Sequence, residues 1–196
     1  MLKNYLQDIK VVLGSQSPRR KELLASLGID FDVIIKSVDE SIPSHVNSSE
    51  AAEYVALKKL EAFDAAEFQD VLIITSDTVV VDNANNVLGK PSSAEEAKQV
   101  ISSLSGRSHI VYTGVGLAYK GKKSHFTDKT TVHFEDLTPE EIQYYVDRYK
   151  PFDKAGAYGI QEWIGRIAVS KIEGSYENVM GLPTVRVYQA IKEIIK

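Results

Sequence analysis

Apolar residues in this chain follow two periods, one typical of buried strands and one typical of amphipathic helices. Short continuous apolar runs lie at residues 11–13 and 71–75, and runs of this length predict strands covered on both faces. Other stretches place apolar residues three or four positions apart, as Leu23, Leu24 and Leu27 are. This spacing predicts helices with one buried face.

The same two periods divide the rest of the chain. Strands are predicted at 11–13, 31–36, 71–75, 79–81, 87–88, 108–119, 124–134 and 166–172, helices at 18–27, 50–67, 93–104, 139–149 and 183–195, and loops at 37–47 and 174–182, whereas residues 150–165 are too specific in composition for a linker. Because a long antiparallel ribbon interrupts the alternation of strands and helices, the order predicts a mixed α/β fold with an elongated sheet and flanking helices. We expect residues 150–165 to be too polar for the core.

Capping residues fix several of the predicted helix starts. Ser17 followed by Pro18 is an N-cap with proline at the first helical position. Ser93 with Glu96, and Thr138 with Glu141, have the spacing of a capping box, and Ser48 is a further candidate N-cap. Ser76 and Asp77 follow the apolar run 71–75, so we expect them where a buried strand ends.

The start of the helix at Pro18 carries an unusual charge pattern. Arg19, Arg20 and Lys21 occupy its first turn, although cations are favoured at the opposite end of a helix dipole. Free backbone N–H groups, the hydroxyls of Ser15 and Ser17 and two guanidiniums would together hold a polyphosphate. A solvated basic turn is the alternative.

Two acidic positions could supply a metal site. Asp77 stands at the predicted carboxyl edge of the sheet, where α/β folds place ligands, or it caps the next turn. Glu40 lies in an acidic loop that either approaches the same edge or is solvated. If Glu40 and Asp77 converge, their oxygens suit Mg²⁺ or Mn²⁺, which take one or two carboxylates plus substrate phosphate oxygens.

Four further cations are isolated in sequence, and by themselves they are consistent with solvated side chains. Lys59 lies in a predicted helix, Lys90 lies between a glycine and a proline, and Lys154 follows an aspartate. Arg107 follows the end of a predicted helix, where its charge pairs favourably with the helix dipole. Lys90 is the most specific of them, because its glycine and proline neighbours restrict the backbone.

Composition and missing motifs exclude several functions. The net charge of −4 and the local character of the basic cluster argue against nucleic-acid binding. The chain has no cysteine, no P-loop and no complete dinucleotide fingerprint, since Gly114 and Gly116 lie in a strand pattern without a third glycine. The four histidines have no metal spacing. No apolar run approaches membrane-spanning length, and the first ten residues do not resemble a signal peptide, so we expect a cytoplasmic protein that does not bind membranes.

An ordered set of short motifs resembles the Maf family of nucleoside triphosphate pyrophosphatases over about residues 11–193. The motifs are Ser15-x-Ser17-Pro18-Arg19-Arg20, Ser76-Asp77-Thr78, Gly89-Lys90-Pro91, Ser105-Gly106-Arg107, Thr113-Gly114, the stretch from Asp153 to Gln161, and the stretch from Gly174 to Pro183. Gly14 and Ser76 depart from the family pattern, in which alanine is usual at both positions.

The resemblance implies a fold like that of the inosine triphosphatases. It further implies one domain over residues 1–196 with two lobes around a cleft, commonly a homodimer, and a divalent metal cofactor. The implied reaction is hydrolysis of a nucleoside triphosphate to the monophosphate and pyrophosphate.

The resemblance also implies roles for individual residues. Asp77 matches the general base or activator of a metal-bound water, and Glu40 matches an acid of the metal or phosphate site. Phosphate-binding positions correspond to Arg20, Lys59 and Lys90. The positions that select the base in the branch acting on dTTP and UTP correspond to Arg19, Thr78 and Gln161. Arg107 and Lys154 lie in motifs of the family pattern, and we expect both to bind substrate.

Two functions from different classes remain open at this stage. The first is an enzyme that hydrolyses dTTP and UTP, with modified pyrimidine nucleotides as further substrates. The second is a nucleotide-binding regulator without turnover, since the family is associated with inhibition of septum formation. The presence of both Asp77 and the phosphate-binding residues favours the enzyme.

Overall fold

A computed structural model describes residues 2–196, apart from the side chain of Lys3. The elements in chain order are α1 (Leu2–Tyr5), β1 (Lys10–Leu13), α2 (Pro18–Ser26), β2 (Asp32–Val33), α3 (Ala51–Glu61), β3 (Val71–Val81), β4 (Val87–Leu88), α4 (Ala94–Leu104), β5 (Ser108–Tyr119), β6 (Lys122–Phe134), α5 (Pro139–Tyr149), α6 (Trp163–Ile167), β7 (Val169–Glu173), α7 (Tyr176–Met180) and α8 (Thr184–Ile194), with short 3₁₀ turns at Ala66–Phe68 and Ala155–Ala157.

The strands form one seven-stranded mixed sheet. The strand order is β2-β1-β3-β5-β6-β7, and β4 pairs with β3 outside this path. Strand β1 is parallel to β2 and to β3, whereas β4 is antiparallel to β3 and β7 is antiparallel to β6. The predicted mixed α/β class is therefore confirmed.

The chain divides into two compact units. Unit 1 contains Met1–Asp77, Thr113–Asp128 and Gly181–Lys196, and unit 2 contains Thr78–Tyr112 and Lys129–Met180. Strands β3, β5 and β6 contribute residues to both units. The single domain with a cleft between its lobes stays a prediction.

In unit 1, helix α3 packs on the sheet through a small apolar cluster. Val12, Leu60, Phe63, Val71 and Ile73 are its buried members. The Thr75 hydroxyl on β3 donates a buried hydrogen bond of 2.8 Å to the carbonyl of Ala56. This bond fixes α3 along β3, because a buried hydroxyl and a free carbonyl would each cost free energy without a partner.

In unit 2, the segment 150–165 is part of the core, so the prediction that it is too polar for the core was wrong. Ala157, Tyr158, Ile160 and Ile164 are all buried in the same cluster as residues of α4, α5 and β6. The Lys154 ammonium and the Glu162 carboxylate of this segment are satisfied by specific partners rather than by solvent. Polarity averaged over residues 150–165 hides the buried apolar residues that lie between the polar ones.

Strand β3 is longer than predicted. The expected end at residue 75 and the separate strand at 79–81 are one strand of eleven residues. Asp77 therefore lies inside a strand, and the prediction that it follows a strand end was wrong. The ladder continues because Val79, Val80 and Val81 are buried and pair onward with β4.

Two other predicted elements are shorter in the structure. Helix α3 begins after Glu50, not after Ser48, and ends at Glu61, six residues before the predicted end. Phe63 turns into the core there, with 5% of its surface exposed, which draws the chain out of the helical path. Strand β2 keeps only two of the six predicted residues, because β1 ends at Leu13 and leaves the rest without a ladder.

The helices α6 and α7 fall in segments predicted as loop or strand. Each has five residues, which is too short to form without tertiary support. For α7 the support is visible, since the Asn178 amide donates to the carbonyl of Val111 at 3.1 Å and to the Thr130 hydroxyl at 2.8 Å. Strand β7 begins at Val169 rather than at the predicted Arg166.

Most predicted caps are confirmed. Ser17 caps α2 by accepting from the Arg20 N–H, and Thr138 and Glu141 form a complete capping box on α5. Ser93 caps α4 as predicted, but the Glu96 carboxylate completes no box, because it accepts from the N–H and hydroxyl of Ser92 instead.

Buried His109 makes the stability of the fold depend on pH. Burial, and secondarily the charge of His133, lower the pKa of His109 from 6.5 to about 4. Between these pH values the unfolded chain binds a proton at this residue and the folded chain does not, so stability falls as pH falls. We expect His109→Gln to remove about 1.4 kcal/mol per pH unit from the slope of unfolding free energy between pH 6.5 and 4. Urea unfolding at several pH values measures this slope.

The matched control is His45→Gln, because His45 is exposed. If the slopes of the His109 variant and the wild type coincide, the buried neutral histidine is not the cause of the pH dependence.

Candidate functional site

The turn between β1 and α2 holds the predicted phosphate-binding residues in one hydrogen-bonded group. Ser15, only 6% exposed, accepts from the Ser17 N–H at 3.3 Å and from Nη1 of Arg20 at 3.1 Å. The Ser17 hydroxyl accepts from the N–H of Arg20 at 3.4 Å. The serines therefore position Arg20 as well as the start of the helix.

The carbonyl of Gly181 fixes the other side of the Arg20 guanidinium. Nε of Arg20 donates to this carbonyl at 2.9 Å, and the Ser76 hydroxyl donates to the same oxygen at 3.2 Å. Gly181 has φ of +110°, a conformation that favours glycine. Ser76, which departs from the family pattern, thus adds a hydrogen bond that alanine could not make.

The electrostatic surroundings of Arg20 contain both signs of charge. Burial is the largest effect and lowers the pKa of Arg20, Asp77 raises it, Arg19 lowers it and Glu40 raises it. An arginine stays protonated under such influences. Arg20 therefore lies within electrostatic reach of Asp77 and Glu40, as the sequence predicted.

Lys59 joins the two predicted acids directly. Its Nζ lies 2.8 Å from Oδ1 of Asp77 and 2.9 Å from Oε1 of Glu40. The side chains of Lys59 and Asp77 are 14% and 16% exposed, and that of Glu40 is 49% exposed. Three residues from three separate segments of unit 1 therefore meet at one ammonium group.

Packing of α3 on the sheet sets the position of Lys59. The bond from Thr75 to Ala56 lies one turn before Lys59 on α3 and two residues before Asp77 on β3. Gly114 and Gly116, on one face of β5, let the helix approach closely: a Cβ at Gly114 would lie 2.3 Å from the backbone of Glu53. These positioning residues were not predicted from the sequence, in which two glycines at i and i+2 in a strand pattern were the available signal.

The donors at this position fit a divalent cation. Within residues 2–196 no group of three or more His, Asp or Glu side chains is arranged to hold a metal ion. Glu40 and Asp77 nevertheless place two hard oxygen donors around one positive charge, and Mg²⁺ uses one or two carboxylates together with water and phosphate oxygens. The predicted metal pair is therefore chemically suitable.

In unit 2, Lys154 is buried between two acids. Its Nζ lies 2.8 Å from Oδ1 of Asp153 and 3.2 Å from Oε1 of Glu162, and the residue is 7% exposed. Its predicted role as a substrate ligand stays a prediction, and its observed partners are these carboxylates.

The other predicted ligands of unit 2 lie on separate elements. Thr78 follows Asp77 on β3, and Lys90 is exposed after β4 in a segment whose Gly89 carbonyl accepts from the Gly156 N–H at 3.2 Å. Arg107 is exposed and lines a shallow depression together with Asp82. Oε1 of Gln161 is buried and has no hydrogen-bond partner within residues 2–196.

An amide oxygen buried without a partner is costly unless a ligand supplies the missing donor. Gln161 is therefore the one predicted base-selecting residue whose own hydrogen bonding points to a ligand. Two histidines of the β5–β6 ribbon pair with carboxylates: exposed His125 pairs with Glu53, and half-buried His133 pairs with Glu173.

Among solved structures, the Ham1 protein of Staphylococcus aureus has the same fold. It matches with a TM-score of 0.53 and 17% identity, over 95% of this chain and 100% of that one. At this identity the likeness concerns the fold alone. It agrees with the predicted inosine-triphosphatase-like architecture.

Sequence comparisons are more specific. The chain is 48% identical to the dTTP/UTP pyrophosphatase of Parabacteroides distasonis over 98% of this chain and 99% of that protein, and 44% identical to the dTTP/UTP pyrophosphatase of Flavobacterium johnsoniae over the full length of both. The family model described as Maf-like protein matches residues 10–194. The chain belongs to the Maf-like family.

Proposed function

We propose that this protein is a nucleoside triphosphate pyrophosphatase that hydrolyses dTTP and UTP to the monophosphate and pyrophosphate. The observation that carries the proposal is the meeting of Lys59 with Asp77 and Glu40 within electrostatic reach of Arg20. The names of the close relatives from Parabacteroides distasonis and Flavobacterium johnsoniae support the choice of substrate.

The cations act on the phosphate chain. Phosphoryl transfer is catalysed mainly by positioning and by neutralising charge on the phosphate oxygens. Arg20, held by Ser15 and Gly181, offers a pre-oriented guanidinium, and Lys59 offers an ammonium group that can leave its carboxylate partners for a phosphate oxygen.

Asp77 acts on the attacking water. Its position inside β3 and its contact with Lys59 hold the carboxylate in place. The carboxylate accepts the proton of the water as the water oxygen bonds to phosphorus and the bond between the α and β phosphates breaks, which releases the monophosphate and pyrophosphate. Glu40 and Asp77 would hold a divalent cation, which supplies charge neutralisation and lowers the pKa of water.

Gln161 supports selection of the base. A glutamine amide offers one acceptor and two donors, so it can pair with the O4 and N3–H edge of uracil or thymine. Cytosine presents the opposite pattern at these atoms, and a mismatched buried pair costs about 1–3 kcal/mol. A single methyl group separates thymine from uracil and has a small effect, so both bases should be accepted.

A panel of nucleotides tests the proposal. Pyrophosphate release is measured from dTTP, UTP, dCTP, CTP, ATP and GTP, with Mg²⁺, with Mn²⁺ and with a chelator. We expect turnover of dTTP and UTP that requires a metal. Nucleotide binding without pyrophosphate release from any substrate would overturn the proposal in favour of the regulatory alternative.

Lys59 occupies the position between the carboxylates that a metal would need. We therefore expect Lys59→Met to bind Mn²⁺ about tenfold more tightly without nucleotide, since an ammonium group at hydrogen-bond distance competes electrostatically for both carboxylates. Titration calorimetry with Mn²⁺ alone measures the affinity.

The neighbouring variant Lys58→Met is the control, because Lys58 pairs with exposed Asp39 at 3.7 Å instead. Equal Mn²⁺ affinity in both variants would show that the metal does not bind at Glu40 and Asp77.

Three further expectations belong to the same proposal. A homodimer is expected from the family resemblance, and a cytoplasmic location is expected from the sequence. No nucleic-acid or membrane partner is expected. Of the helices in residues 2–196, none is long and apolar enough to pass through a bilayer.

A further inference from the structure

The turn that carries Gln161 is held by a network of three side chains, of which Tyr145 and Glu162 have no role in the proposed chemistry. The Tyr145 hydroxyl donates to Oε2 of Glu162 and accepts from the N–H of Gly159 at 3.0 Å. Oε1 of the same Glu162 pairs with Nζ of Lys154. We call Tyr145, Glu162 and Lys154 the turn network.

The turn network fixes both ends of a single tight turn. The N–H of Glu162 donates to the carbonyl of Gly159 at 3.0 Å, so residues 159–162 form a β-turn with Gln161 at its third position. Gly159 is anchored through Tyr145 at the first position, and Glu162 is anchored through its side chain at the fourth. Gln161 is the only member of the turn with an unsatisfied buried oxygen among the described residues.

Packing leaves this turn little room to move. A Cβ on Gly159 would lie 2.9 Å from the carboxyl carbon of Glu162 and 3.0 Å from Cε of Lys154. A Cβ on Gly165 would lie 1.8 Å from the carbonyl oxygen of Ile160, so the start of α6 presses on the turn from the other side. Ile160 itself is buried in the core of unit 2.

The charge states of the residues in the turn network keep its hydrogen bonds and its ion pair in place. Tyr145 is fully buried, and burial followed by Glu162 raises its pKa well above the ordinary value. Its hydroxyl therefore stays a neutral donor, and Glu162 accepts from it while pairing with a buried ammonium. Breaking one member leaves the others buried without partners, which is costly.

A rigid turn has a consequence for base selection. The two ends of a glutamine amide differ only in oxygen and nitrogen, and rotation by 180° converts the pattern that suits uracil or thymine into one that suits cytosine. Gln161 can thus reject cytosine only if its environment prevents this rotation. A turn that shifts by a fraction of an ångström would admit both orientations.

We propose that Glu162, clamped by Tyr145 and Lys154, is a positioning residue that sets discrimination against cytosine. It does so by holding in place the turn 159–162, which carries Gln161. This inference rests on the proposed function, because it assumes that Gln161 contacts the base. It assigns to Tyr145 and Glu162 a role in specificity and no contact with the substrate.

The test compares kcat/KM for dTTP and dCTP in Tyr145→Phe, Glu162→Gln and Glu162→Ala. We expect the ratio of dTTP to dCTP to fall about tenfold in Tyr145→Phe and Glu162→Ala. Glu162→Gln keeps an oxygen that accepts from Tyr145 and should retain part of the ratio. The kcat for dTTP should change less than about threefold, because Asp77 and the phosphate ligands are untouched.

Tyr149→Phe is the matched control. It is the same substitution on the same helix, and Tyr149 stacks on Tyr145 with ring centroids 5.1 Å apart without belonging to the turn network. Its ratio should equal that of the wild type. If Glu162→Ala fails to fold, Tyr145→Phe and Glu162→Gln still decide the question.

The possible outcomes distinguish a failure of this inference from a failure of the proposed function. A lower melting temperature with equal loss of activity on both nucleotides would show a purely structural role and overturn the inference. An unchanged ratio in an active enzyme would do the same and leave the proposed function standing. A wild-type protein without pyrimidine triphosphatase activity would overturn the proposed function itself.

Discussion

Replacing Asp77 by Asn should lower kcat for dTTP about a thousandfold, in the range that removal of a general base produces, while leaving the fold intact. The amide has the shape of the carboxylate and can still accept from Nζ of Lys59, which lies 2.8 Å away. It cannot take a proton from water and it is a weaker metal ligand. Steady-state pyrophosphate release and thermal unfolding measure the two effects separately.

Asp70→Asn is the control for this prediction. Asp70 directly precedes β3, and its side chain is 87% exposed, so the same change at the other end of the strand should alter neither activity nor stability. Near-normal turnover by the Asp77 variant would remove this residue from the mechanism, whereas a collapsed melting temperature would show that the Lys59 pair supports the fold instead.

Gly114→Ala should cause a large loss of stability, because the added methyl group would overlap the backbone of α3. The new Cβ would lie 2.3 Å from both N and Cα of Glu53 and 2.4 Å from the carbonyl carbon of Ala52. These are backbone atoms of α3 that cannot rotate away, so the whole helix must move off the sheet. Overpacking costs typically 1–3 kcal/mol, and we expect about 3 kcal/mol here, or a melting temperature lower by roughly 6–12 °C.

Activity should fall in the same variant, because α3 carries Lys59. Gly89→Ala serves as the control, since a Cβ at Gly89 meets nothing within 4 Å and should shift the melting temperature little. A Gly114 variant as stable as the wild type would mean that α3 can move away from β5 at little cost, and Lys59 would then be held loosely.

The candidate site was largely predictable from the sequence because its residues are marked locally. Ser17 followed by Pro18 predicts a helix start. Cations in the first turn of a helix are disfavoured by the helix dipole, so they indicate a nearby anion. Glu40 and Asp77 are polar residues beside apolar runs. Their convergence on Lys59 could not be predicted from spacing, since the three are separated by long stretches of chain and only the packing of α3 against β3 brings them together.

The residues that position the site were less visible. Thr75 and Tyr145 resemble ordinary members of a strand and a helix, and Glu162 resembles a solvated acid. Their roles depend on contacts with distant residues, namely hydrogen bonds to Ala56 and Gly159 and an ion pair with Lys154, and the sequence pattern does not indicate such contacts. The family resemblance implied which residues bind the substrate and implied nothing about the residues that position them.

Errors in the predicted elements have the same origin. Strand β3 continues through Asp77 because Val79, Val80 and Val81 are buried and β4 extends the ladder. The short helix α7 is held by the hydrogen bonds of Asn178 to neighbouring strands, and α6 is held by the buried side chain of Ile164. In these segments, tertiary contacts outweighed the secondary-structure propensity of the local sequence.

By itself the sequence determined the mixed α/β class and the long helices with their caps, and it predicted which types of residue bind phosphate and metal. These follow from periodicity and from the chemistry of single side chains, which act over a few residues. Tertiary structure alone decided where strand β3 ends, that the segment 150–165 enters a core, and that Lys59 stands between Glu40 and Asp77. The physical reason is that burial and ion pairing depend on which distant segments meet, and that depends on the packing of the whole chain.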